Sequence, residues 1–192
     1  MNDIEFHPVT AEHWSELAAF FEENGNPNYC WCMRWRLKST DFRNGDSSER
    51  RSALEERIKE NTPVGVLAYR DGRAVGWCSV APRETYTGLE RSRILKRIDD
   101  RPVWSVVCFF IDPDCRQQGL ARGLLEAAVD YAASQGASTV EGYPVEPDKS
   151  YRFMGSVSIF DSAGFYEAGV ANNGRKIVRF EIGNNRGNFA GP

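Results

Sequence analysis

Phe109-Phe110-Ile111-Asp112-Pro113-Asp114-Cys115-Arg116-Gln117-Gln118-Gly119-Leu120-Ala121 is the stretch that decides the fold. It opens on the end of residues 103–111, which are apolar apart from Ser105 and read as a central strand buried on both faces. Pro113 cannot donate to a strand ladder and ends that strand. Leu120, Leu124, Leu125, Ala128, Tyr131 and Ala132 then recur at helical spacing, predicting a helix over residues 118–134 that stops at Gly136. A buried strand thus turns within a few residues into a helix.

The first turn of such a helix has backbone N–H groups with no intrahelical partner, and the helix dipole adds partial positive charge there. That combination suits an anion such as a phosphate. Gly119 brings no side chain, Ala121 is small, and Arg116 adds a full positive charge. A plainer reading has Gly119 only relieving packing. The segment lacks the three glycines of a dinucleotide fingerprint. It also lacks the Gly-Lys-Ser/Thr of a P-loop.

Outward from this segment, residues 139–143 form another strand and residues 156–162 a short helix ended by Gly164. Residues 165–171 and 176–182 form a hairpin across Asn173-Gly174. Upstream, residues 4–9 read as a strand and 11–23 as a helix capped by Thr10. Residues 29–36 are dense in aromatics and sulfur without a clear period. Ser47 or Ser48 caps a charged surface helix to residue 60. Residues 64–69 and 74–80 pair across Asp71-Gly72, and residues 89–98 are a short basic helix or an irregular connection. One mixed sheet with helices on both faces satisfies this order. The expected organisation is a single domain over residues 1–183 with a flexible tail over 184–192.

The 192 residues suffice for one good core. A net charge of −3 and a pI near 5.5 argue against a general nucleic-acid binder. No apolar run approaches the roughly 20 residues that span a bilayer. The N-terminus lacks an apolar signal core, and the odd count of five cysteines fits reduced thiols, so a cytoplasmic location is expected. Cys30 and Cys32 do not complete the usual four-ligand zinc pattern, so no metal is expected.

The strand-loop-helix segment resembles motif A of the GNAT superfamily of N-acetyltransferases, whose pattern is Arg/Gln-x-x-Gly-x-Gly/Ala after a strand ending in an apolar residue, x, Pro. Arg116, Gly119 and Ala121 match the pattern, and Ile111-Asp112-Pro113 matches the lead-in. The order of elements follows the family over residues 4–182, including the short helix that ends in Ala163-Gly164-Phe165. The resemblance implies an α/β fold (α+β mixed), with a mostly antiparallel central sheet whose two central strands splay apart. It implies acetyl-CoA as co-substrate, its pyrophosphate held by Arg116, Gln117, Gln118, Gly119, Leu120 and Ala121. The pantetheine arm would pair with the main chain of Phe109, Phe110 and Ile111, as an added strand does. The thioester would lie between these residues and 142–144, and an N–H near Phe110 would stabilise its oxyanion.

The implied reaction moves an acetyl group directly to a primary amine of a small molecule. A non-catalytic CoA-binding or regulatory module and a protein or peptide N-acetyltransferase are the alternatives. Many family members carry a Tyr four residues before the Gly-Phe pair to protonate the leaving thiolate. Phe160 stands there and cannot do so. Tyr143 and Tyr151 are candidate replacements. Glu141 shares a strand face with Tyr143 and would serve as base if that face opens to the acceptor. If the face is covered, Glu141 must pair with a cation such as Arg116 or Arg122. Tyr29, Trp31 and Trp35 are the candidate acceptor-pocket residues, with a cation-π site for an ammonium among the possibilities. The last hairpin leaves a sheet edge at which a homodimer could form.

Overall fold

Seven strands form one sheet in the order β1-β2-β3-β4-β5-β7-β6. They are β1 (Ile4–Pro8), β2 (Gly65–Arg70), β3 (Arg73–Pro82), β4 (Trp104–Ile111), β5 (Thr139–Gly142), β6 (Tyr166–Val170) and β7 (Lys176–Glu181). The computed structural model describes residues 4–25, 27–146 and 153–183. Every pairing is antiparallel except that of β4 with β5. The mixed, mostly antiparallel sheet is therefore as expected, as are both hairpins. The tail after residue 183 and Tyr151 lie outside the described residues.

The two faces of the sheet are covered by different helices. On one face, α6 (Leu120–Ser134) lays Leu120, Leu124, Leu125, Ala128 and Ala132 over Val66, Cys78, Val106 and Phe109. The short α7 (Val157–Ser162) adds Phe160 to the same core. On the other face, α1 (Trp14–Glu23) packs Leu17, Phe20 and Phe21 with Leu67, Trp77 and Phe110. Because successive side chains of a strand point to opposite faces, Phe109 and Phe110 enter different cores. A fully buried large side chain of this kind contributes about 1.5–3 kcal/mol relative to exposure.

Residues 27–44 hold two short helices that the sequence pattern did not reveal, α2 (Pro27–Cys30) and α3 (Ser39–Asn44). Each is too short to show a helical period. The next helix, α4 (Ser47–Lys59), starts one residue earlier than the serine caps predict. Asp46 is its N-cap, accepting from the Glu49 amide at 2.9 Å while the Glu49 carboxylate accepts from the Asp46 amide at 2.9 Å. This reciprocal pair outcompetes the serines because it satisfies two donors at once. Nor is α4 a surface helix on all sides, since Arg50, Leu54 and Ile58 are buried. Residues 89–98 contribute only the end of α5 (Thr87–Glu90). α6 begins at Leu120 rather than 118, because Gln117 (φ 60°) and Gly119 (φ 78°) leave the helical region.

Candidate active site

β4 and β5 pair only over Trp104–Val140, Ser105–Glu141 and Val106–Gly142, and then diverge. The gap so opened is flanked by the loop before α6 at one end. Gly119 caps α6 in the left-handed conformation, and a Cβ there would meet no heavy atom within 4 Å. Packing is thus not what requires glycine, whereas the backbone conformation favours it. The Leu120 and Ala121 amides occupy the first helical turn and face no intrahelical acceptor. Arg116 is exposed and its Nε donates to the Ile111 carbonyl at 3.2 Å. Gln118 accepts from Arg70 at 2.9 Å and donates to the Asp114 carbonyl at 3.1 Å. Arg122 pairs with Glu126 at 2.7 Å. Arg70 comes from β2 and joins Arg116 and Arg122 in a basic rim around the loop. Its position far upstream gives no sequence signal of this role.

The gap itself is partly filled from the α7 side. The Phe109 amide donates to the Phe153 carbonyl at 2.5 Å, and the Val145 amide to the Gly155 carbonyl at 2.8 Å. Phe160, fully buried, sits edge-on to Phe109 and closes on Gly142, where any Cβ would strike its ring. Since Phe109 turns its N–H into the gap, Phe110, paired with Trp77 in the β3 ladder, turns its N–H the other way. The donor facing the gap is therefore that of Phe109, next to Phe110.

Glu141 and Tyr143 do share one side of the sheet, as their alternation requires, but that side is sealed. Their relative exposures are 1% and 0%. Glu141 pairs with Arg83 at 3.0 Å and Arg179 at 2.8 Å, in place of the expected Arg116 or Arg122. The Tyr143 hydroxyl donates to Glu141 at 2.6 Å and contacts Ser105 at 2.8 Å and the Arg83 guanidinium at 2.5 Å. Burial, then the Glu141 charge, pushes the phenol well above its ordinary range. These contacts form a buried ionic network, and both side chains are shut off from solvent.

On the α1 face a cavity of about 400 Å³ runs to the same part of β4. Phe21, Trp77, Cys108 and Phe110 form its inner wall; Tyr29, Trp35, Phe42 and Phe153 form its outer wall. Tyr29 and Trp35, two of the three candidate acceptor-pocket residues, line it. Trp31 does not line it. Its buried indole packs at a tilt against Trp14 and Phe21 and donates to Ser47 at 3.0 Å. The lining contains no carboxylate among the described residues, and its one charged group is Arg34, stacked over Trp35 and Phe42. The Trp35 indole nitrogen is buried without a hydrogen-bond partner among the described residues. Phe42, Cys108 and Phe153 escaped sequence reasoning because only the tertiary arrangement gathers them here.

All five cysteines are free thiols, and no group of three or more His, Cys, Asp or Glu among the described residues is placed to hold a metal. No helix among the described residues is long and apolar enough to cross a membrane.

The sheet, its gap and the loop before α6 are those of an acetyltransferase fold. Residues 13–153 match the acetyltransferase (GNAT) family, and the chain belongs to that family. The fold is similar to that of the paia N-acetyltransferase from Thermoplasma acidophilum solved with coenzyme A (15% identity, 94% of this chain and 99% of that chain, TM-score 0.56). It is also similar to yncA from Salmonella typhimurium, solved with its cofactor acetyl-CoA (17%, 94% and 94%, TM-score 0.57). A third likeness is to the Drosophila melanogaster polyamine N-acetyltransferase (14%, 94% and 100%, TM-score 0.56). No curated protein matches the sequence.

Proposed function

We propose that this protein transfers an acetyl group from acetyl-CoA to the primary amine of a small molecule with an apolar body, by direct attack within a ternary complex. The observation that carries the reading is the meeting of two features at the end of β4. The left-handed, uncluttered Gly119 with its basic rim opens on one side, and the apolar cavity on the other.

The loop 116–121 would hold the pyrophosphate, with first-turn amides and Arg116, Arg122 and Arg70 supplying the positive field. The pantetheine arm would lie along the main chain of Phe109, Phe110 and Ile111, using the groups of Phe109 and Ile111 that face the gap. The Phe109 amide would then exchange the Phe153 carbonyl for the thioester oxygen and stabilise the developing oxyanion. The amine would enter through the cavity, its body against Tyr29, Trp35 and Phe42. The modest volume of the cavity, about 400 Å³, supports a small acceptor over a peptide. The lack of a carboxylate among the described lining residues favours an acceptor with a single amine over a polycation. Glu141 and Tyr143, locked between two arginines, serve the structure in this reading. As the neutral amine attacks the thioester carbon, the carbon–sulfur bond breaks and the surplus proton on nitrogen passes to water; the CoA thiolate leaves and takes a proton from water, since an ordinary thiol is a tolerable leaving group and Phe160 cannot donate.

The test is calorimetric titration with CoA, followed by release of free thiol from acetyl-CoA over a panel of apolar and polycationic primary amines. Micromolar CoA binding and turnover confined to apolar amines are expected. Absence of CoA binding overturns the donor assignment, and turnover of polycations alone overturns the acceptor class. CoA binding without turnover on any amine favours a regulatory module.

A further inference from the structure

We infer that the acceptor is an apolar amino carboxylate, a primary amine and a carboxylate on one hydrocarbon body, and that Arg34 binds its carboxylate. This deepens the acetyl-transfer reading, and rests on it for the fate of the amine. Charge around the cavity is unbalanced. Arg34, Arg36 and Arg50 pack in or against its walls, and none of them forms an ion pair among the described residues.

Arg50 and Arg36 stand behind the lining. Arg50 is buried, with its guanidinium carbon 4.3 Å from the Phe42 ring centre and 4.8 Å from that of Tyr29, two lining residues. It donates to the carbonyls of Tyr29 at 2.9 Å, Phe42 at 2.6 Å and Gly45 at 2.7 Å, and its Nε has no partner. Arg36 is completely buried. It donates to the Val64 carbonyl at 2.6 Å, to Ser79 at 2.9 Å and to Tyr86 at 3.2 Å, while its Nε and Nη1 have no partner. Ser79 lies opposite Cys108 in the β3–β4 ladder, so Arg36 reaches the strand pair that forms the inner wall. Every one of these acceptors is neutral. The carboxylates at the start of α4, Asp46 and Glu49, are exposed and accept from each other's amides.

Arg34 belongs to the lining itself. Its guanidinium carbon is 5.5 Å from the Trp35 ring centre and 5.6 Å from that of Phe42, and it makes no hydrogen bond among the described residues. Contact with aromatic faces steadies a planar guanidinium and leaves its N–H edge to bind a ligand. Guanidinium groups keep their protons in a protein, and neutral acceptors satisfy their hydrogen bonds without cancelling their charge. In a cleft that excludes water such charge acts more strongly than in bulk. The cavity therefore repels a second cation and favours an anion. One unpaired guanidinium in the lining matches one carboxylate, whose two oxygens fit its fork. The hydrocarbon body then lies on Phe21, Trp77 and Phe110. The carboxylate takes no part in the transfer.

The experiment mixes the full chain with acetyl-CoA and follows thiol release with L-phenylalanine, L-leucine and 6-aminohexanoate, each beside its amide. The amide keeps the body and the amine and removes the negative charge. The α-amino and ω-amino acids separate the two placements of the amine relative to the carboxylate. For at least one acid, kcat/KM should exceed that of its amide by about tenfold or more, chiefly through KM. α-Amino amides are less basic than the acids, so amine ionisation alone would favour the amide. Arg34 is exposed, and its variants should fold. Arg34→Met should erase the preference for the acid, whereas Arg34→Lys, which keeps the charge and loses the fork, should keep part of it. Calorimetric titration of the CoA-bound protein with the same acids reads binding without turnover, and the preferred acid should bind about tenfold more weakly to Arg34→Met. Turnover of amides as fast as acids, or an equal loss for both in Arg34→Met, overturns the inference while acetyl transfer stands. Failure of all three acids to bind also overturns it. Arg34-dependent binding of an acid without turnover supports the carboxylate site and counts against acetyl transfer.

Discussion

The amide of Phe109 donates to the carbonyl of Phe153 at 2.5 Å across the gap where β4 and β5 part. The same gap is where the proposed co-substrate would pair with the β4 edge, so the two interactions compete for one donor. Addition of CoA or acetyl-CoA should shift the Phe109 amide resonance and its hydrogen-exchange protection. Phe110, whose amide lies in the β3 ladder, should change much less. Equal changes at both positions, or none at Phe109, would count against pairing along this edge.

Gly119 and Gly174 offer a matched pair of substitutions. Their φ angles are 78° and 81°, and a Cβ meets nothing within 4 Å at either. Alanine at each should therefore cost a similar stability, roughly 1–2 kcal/mol, from the left-handed conformation alone. Gly119→Glu should in addition weaken CoA binding by tenfold or more, by obstructing and repelling the pyrophosphate, while Gly174→Ala leaves it unchanged. Calorimetry of binding and urea unfolding together separate the two effects.

Glu141 lies between Arg83 and Arg179 with almost no exposure. Glu141→Gln leaves two guanidiniums facing a neutral group, and breaking a buried pair typically costs about 3–5 kcal/mol. A large fall in the urea midpoint is expected. If the variant remains folded, CoA affinity should persist, because the network does not reach the gap. An unchanged midpoint would contradict the structural role.

Arg179 also grips the exposed Asp99, at 2.6 and 2.9 Å, and this hydrogen bonding holds the Asp99 carboxyl down at about 2. A carboxylate depressed on folding stabilises the protein above its unfolded pKa, and that contribution is lost as pH falls through the folded one. The stability difference between the wild type and Asp99→Asn should be constant above about pH 5 and shrink towards pH 2. Because the pair is solvent-exposed, the full difference should be about 1 kcal/mol or less. Chemical unfolding at several pH values checks the slope.

Local signals carried most of the fold. The apolar run ending at Ile111, the stop at Pro113, the Gly-containing hairpin turns and the helical spacing from Leu120 to Ala132 each act over a few residues, and the strands and α4, α6 and α7 lie within a residue or two of expectation. Where local cues were ambiguous the reading slipped. Asp46 outcompeted the serines through a reciprocal bond with Glu49, and α2 and α3 are shorter than one period of the pattern that reveals a helix.

What the sequence determined by itself is the segment proposed to hold the donor: a strand, a turn and a glycine suited to the left-handed backbone that Gly119 adopts. The tertiary structure decided the rest. Glu141 and Tyr143 are adjacent on a strand, but only packing places Arg83 and Arg179 over them and turns candidate chemistry into a buried ion network. Trp31 and Trp35 look alike in sequence, yet one is core and the other cavity wall. Burial and long-range charge are sums over neighbours distant in sequence, so no local pattern could report them.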